Sequence, residues 1–232
     1  MNGISVWWND LVATFIKCFI KDDRYLLLLD GIEVTIKVSL LAVIIGIAIG
    51  LVIAFFNLSK NKLLNLVGKI YTDVIRGTPS VTQLMIIYFV VFAAVDLEKW
   101  IIAAIAFGIN SGAYVSEIIR AGILSIDKGQ TEAGRSLGLN RMQTMSYIVI
   151  PQAVKNIFPA LCNEFIVLIK ETAIVGYIGL VDIQKAGDFI KSATYKAFMP
   201  LIATAIIYFV LIKLLTVILA YVEKALRKSE ER

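Results

Sequence analysis

From Val38 to Phe56, 19 consecutive residues carry no charged side chain. As a helix rising 1.5 Å per residue, this run is about 28 Å long, close to the thickness of a bilayer's hydrocarbon core. A segment of that kind has few fates. In lipid its backbone polar groups must be satisfied internally, which a helix does by itself. The rest of the 232-residue chain agrees: 59% of residues are hydrophobic and the mean hydropathy is +0.81, above the apolar share of a soluble domain. The fold class expected is all-α, a multi-pass transmembrane helical protein forming one unit.

Charge punctuates the remaining apolar runs. Spans are expected at 29–56, 78–95, 100–121, 150–171 and 198–222, with 1–28 as an N-terminal surface helix and 125–145 as a polar insert. Lys60, Lys62 and Lys69 follow the first span without an acidic neighbour, and Arg120, Lys128, Arg135 and Arg141 make the insert basic. Lys224, Arg227 and Lys228 follow the last span. By the positive-inside rule these three segments are cytoplasmic, giving five spans, an outside N-terminus and an inside C-terminus. Lys17, Lys21 and Arg24 would then lie outside, as an exception. Trp7 and Trp8 suit a helix lying on a membrane surface. The segment 172–196, interrupted by glycines and mixed in charge, reads as an outer loop with a short helix.

Polar groups inside the spans mark what the chain could do. Asn110, Ser111, Tyr114 and Glu117 burden the third span, and Asn156, Asn163 and Lys170 recur at intervals of seven in the fourth, beside Glu164 and Glu171. Seven residues is nearly two helical turns, so Asn110, Tyr114, Glu117 and Ala121 share one face of the third span and the sevenfold set one face of the fourth, the expected lining of a protein interface or aqueous path. Asn110, Ser111, Asn163 and Glu164 are the candidate substrate-binding residues. Glu164 needs a complement, either a cation within the chain (Lys155, Lys170 or Arg120) or a cationic group on a solute.

Several chemistries lack their parts. There is no His, no phosphate-binding G-x-x-x-x-G-K-[ST] and no G-x-S-x-G. Cys18 and Cys162 are isolated, which argues against a disulfide or metal site. The net charge of +5 is spread along the flanks of the spans rather than gathered into a stripe, so nucleic acid is not an expected partner. No enzyme is expected.

The insert itself has the makings of a folded part. In Glu132–Pro151 good helix formers are followed by Gly138, suited to a left-handed helix end, and by Asn140, suited to cap the next helix. Glu132-Ala133-Gly134, then Gly138, then Ile148-Val149-Ile150-Pro151 resembles the EAA loop of the membrane subunits of binding-protein-dependent ABC importers. Gly134 and Ile150 depart from that pattern, which has Ala and Leu there. Leu29-Asp30-Gly31 with Thr35 and Ser39, Arg76-Gly77-Thr78-Pro79 with Gln83, and Lys170-Glu171-Thr172 are similar to the branch that carries polar and basic amino acids of the histidine, glutamine and arginine type.

This resemblance implies a permease subunit in a bacterial inner membrane. It implies a coupling helix in which Glu132, Ala133, Gly134, Arg135 and Gly138 engage a cytoplasmic ABC ATPase, present in two copies and holding ATP and Mg. A second permease, identical or a paralogue, and an extracytoplasmic solute-binding protein would complete the importer. A secondary carrier or channel using Glu117, Glu164 and Lys170 as a relay is the alternative class.

Overall fold

The computed structural model describes residues 3–227 and contains no strand among them. A surface helix α1 (Gly3–Phe15) leads through a π turn to the long α2 (Tyr25–Leu58). Then come α3 (Lys62–Arg76), α4 (Ser80–Ile86, extended by a π turn to Val91) and α5 (Lys99–Leu124). The insert supplies α6 (Lys128–Ser136) and α7 (Arg141–Thr144), and α7 continues through a π turn into α8 (Ile150–Glu171). A 3-10 segment, α9 (Ile183–Thr194) and α10 (Phe198–Arg227) complete the chain.

Three of these helices, α2, α5 and α10, are long and apolar enough to cross a membrane, and the bent pair α3 and α4 adds a fourth if it is one span. Helix α8, which carries Lys155, Glu164, Lys170 and Glu171 in its 22 residues, is not among them.

The core is the parallel contact of α2 with α5, the most extensive in the molecule. Small residues make it possible. Ala42, Gly46 and Gly50 are buried on α2 where it faces α5. Gly46 sits on Ser111, and Gly108 of α5 sits in turn on Ile45, where an added Cβ would meet the Ile45 Cβ at 2.6 Å. Two G-x-x-x-G pairs, Gly46 with Gly50 and Gly108 with Gly112, thus bring the two backbones together, which is how helices associate where no hydrophobic effect drives them.

The structure differs from expectation in three places. The lysine-bearing stretch after the first span is a helix, α3, held to α2 by Asn65 Nδ2 donating to the Asn57 carbonyl at 2.8 Å, and to α5 by the Tyr71 hydroxyl donating to the Ile109 carbonyl at 2.5 Å. It bends by 104° into α4 at Arg76-Gly77-Thr78-Pro79. The helix containing Pro151 begins ten residues earlier, at Arg141; the π turn at Met145–Val149 lets the chain pass a residue that has no N–H to donate.

The third difference is that 172–196 is part of the core. Asp182, fully buried, caps α9 through the backbone N–H groups of Gln184 and Lys185, and it accepts from the Tyr208 hydroxyl of α10 at 2.9 Å. Ile183, Ala186, Gly187 and Ile190 present one buried stripe. Removing the hydroxyl with Tyr208→Phe takes a bond from a buried carboxylate, so a loss of about 1–3 kcal/mol is expected in the thermal unfolding of the purified chain. An unchanged melting temperature would refute this role for the pair.

Candidate functional site

The bend between α3 and α4 is organised by one side chain. Gln83 Nε2 donates to the Ile75 carbonyl at 2.7 Å and to the Thr78 carbonyl at 3.1 Å, satisfying acceptors that the interrupted helix leaves open. Its Oε1 accepts from Asn110 Nδ2 at 2.9 Å. Asn110 is therefore fixed to the bend, 4% exposed.

One residue further along α5, the Ser111 hydroxyl donates to Glu164 Oε1 at 2.8 Å. Ser111 is fully buried and Glu164 is 9% exposed. Three of the four candidate substrate residues thus lie on a single seam where α4, α5 and α8 meet. Among the described residues no cation is paired with Glu164: Arg120 is held by Glu117 at 2.7 Å, and Ser111 is the hydrogen-bond partner of the buried carboxylate. Asn163 is elsewhere. With Asn156 and Lys170 it forms an exposed stripe on α8.

Below the seam, α2, α3 and α5 enclose a cavity of about 540 Å³ lined by Asn57, Lys69, Asp73, Arg76, Glu117 and Arg120 among others. The Arg76 guanidinium lies over the Tyr114 ring, 5.3 Å from its centroid. Charged groups of both signs line this cavity.

The insert forms a second candidate site. Asp127 caps α6 through the Gly129 N–H, and Gly138, at φ +85°, ends it in the left-handed conformation, with the Leu139 N–H returning to the Gly134 carbonyl. Asn140 and Gln143 then form a reciprocal capping box on α7. Glu132, Ala133, Arg135 and Gly138 are exposed, as are Leu137 (80%) and Met142 (75%). Gly134 alone is buried, and a Cβ there would meet Ile148 Cδ1 at 2.7 Å and Thr144 Cγ2 at 2.9 Å, which explains a glycine where the loop pattern has alanine. Two well-capped helices joined by a sharp turn, with an exposed apolar and charged face, make a rigid protrusion.

Interlocked apolar helices around a buried polar seam, carrying such a protrusion, define a polytopic membrane transport subunit. The chain belongs to the family of binding-protein-dependent transport system inner membrane components, whose model matches residues 46–228. It is 42% identical over 205 residues to a putative glutamine transport system permease protein of Rickettsia bellii, covering 88% of this chain and 94% of that one. It is equally 42% identical over 205 residues to the arginine transport system permease protein of Bacillus subtilis, with the same coverage. The fold matches a crystal structure of an amino acid ABC transporter with histidines, at TM-score 0.81 and 44% identity over 89% of this chain and 98% of the other. An inward-facing MetNI methionine ABC transporter shares the fold at TM-score 0.74 and 20% identity, over 86% and 96% of the two chains.

Proposed function

We propose that this chain is the path-forming permease of an ATP-driven importer of polar amino acids, with Glu164 receiving the cationic group of the solute. The observation that carries this reading is a buried carboxylate with no cation beside it among the described residues. A carboxylate in the bilayer interior is costly without a counter-charge, and an α-ammonium or basic side chain supplies one. Ser111 and Asn110 offer neutral hydrogen bonds on the same seam. Asn163 faces outward from the single chain, where a second permease, identical or a paralogue, would complete the path. Relatives named for glutamine and arginine transport, and a neighbour crystallised with histidines, support an amino acid as cargo.

ATP and Mg would be held by two copies of a cytoplasmic ABC ATPase seated on α6, and a solute-binding protein would deliver cargo on the outer side. The basic segments support an inside C-terminus and an outside N-terminus.

Glu164→Gln keeps the hydrogen bond from Ser111 and removes the charge. In proteoliposomes containing the ATPase and binding protein, uptake of arginine or lysine is expected to fall about tenfold to a hundredfold, the worth of a charge-assisted hydrogen bond. Undiminished uptake of both would remove Glu164 from the site. Uptake driven by an ion gradient through this chain alone would instead identify a secondary carrier.

A further inference from the structure

On another face, α2, α5 and α8 leave an elongated apolar groove that the seam does not use and that ends at the root of the insert. It comprises two adjoining cavities of about 460 and 240 Å³, both lined by Leu51, Ile119, Ile123 and Ile150. The part away from the insert is wholly apolar, running past Val154 to Phe158 and Leu161. The part near the insert ends at Lys60 and Arg141. No carboxylate lines either part, and neither cation makes an ion pair among the described residues. The rim is exposed and apolar, with Leu51 at 55%, Phe55 at 68% and Val154 at 47%.

We propose that this groove binds an anionic phospholipid, its acyl chain lying along Leu51, Ile119 and Val154 and its phosphate held between Lys60 and Arg141. The arrangement matches the two halves of such a molecule: a long apolar slot open to the bilayer, closed at one end by two cations that are unpaired among the described residues. Basic pockets beside membrane helices select anionic headgroups for this reason. A second copy of the chain is a poorer occupant, since a symmetric contact would bring Lys60 and Arg141 against the same two cations. Arg141 opens the helix that follows the Gly138 turn, so a phosphate bound there braces the root of the insert. The lipid site itself does not depend on the role proposed for α6.

Native mass spectrometry of the permease with its ATPase, offered equal amounts of phosphatidylglycerol and phosphatidylcholine, tests this directly. Each cation near an anionic headgroup contributes a factor of about five, so a preference of roughly 25-fold for phosphatidylglycerol is expected. Lys60→Gln with Arg141→Gln should bring the two lipids to parity, and Leu51→Trp, which fills the slot from an exposed position, should reduce retention of both. Parity in the native protein, or an unchanged preference in the double variant, overturns the proposal. A benzophenone side chain at position 51, irradiated in mixed vesicles, should label lipid; cross-linking to a second permease copy overturns it equally.

Discussion

Gly31→Leu is expected to leave no folded permease in the membrane, and Gly31→Ala to lower stability by about 3 kcal/mol, the upper end of overpacking costs. A Cβ at this position would stand 2.7 Å from the Asp182 carbonyl carbon, 2.8 Å from its oxygen and 2.8 Å from the Ile183 nitrogen. All three are backbone atoms at the start of α9, and they cannot swing aside as a side chain can. Asp182 is held in turn by the cap on α9 and by Tyr208, so any displacement spreads into α10. Gly138→Ala is the control: nothing lies within 4 Å of its Cβ position, and the cost is confined to the left-handed backbone, about 1–2 kcal/mol. Thermal unfolding of the two purified variants should order them Gly31→Ala below Gly138→Ala; the reverse order would sink this account of the α2 and α9 junction.

The insert was readable in the sequence because its signals are local. Gly138 and Asn140 act within four residues of themselves, and the φ of +85° and the capping box stand where those residue types require them. The seam was readable only in part. Asn110, Ser111 and Glu164 stand out as polar residues in apolar runs, yet nothing local pairs Ser111 with a carboxylate 53 positions away, and the helix period alone put Asn163 in their company. Gln83 lay within a recognised segment without a stated role, since its work at the bend depends on carbonyls freed by a turn not visible in the residue types. For α9 the short helix was legible but its burial was not: Asp182 as a cap, then Ile183, Ala186, Gly187 and Ile190 at helical spacing, form a core stripe that mixed charges and neighbouring glycines obscured. Helix α3 was masked by its lysines, which suggested a loop because charge reports on topology more strongly than on secondary structure.

Glu132→Lys is expected to reduce ATP-driven uptake at least a hundredfold while leaving the permease folded. The side chain is exposed and makes no ion pair or hydrogen bond within the described chain, so its replacement should change stability by no more than about 0.5 kcal/mol. Any larger effect must arise at a surface that covers it. The adjoining Leu137 and Met142 are large apolar side chains left in the open, as expected of a face that a partner buries. Reversing a charge that such a partner has paired costs about 2–5 kcal/mol or more, because the partner's group is left buried and opposed. The protrusion is also stiff: Asp127, Asn140 and the Gly134 contact with Thr144 and Ile148 fix α6 against the helix that carries Glu164. Movement imposed on α6 by an ATPase would then reach the seam without being absorbed in a loop. Transport and co-purification of the ATPase should fail together in Glu132→Lys while the melting temperature holds. Normal uptake by this variant, or lost uptake with the ATPase still bound at native affinity, would show that Glu132 is not part of the docking contact.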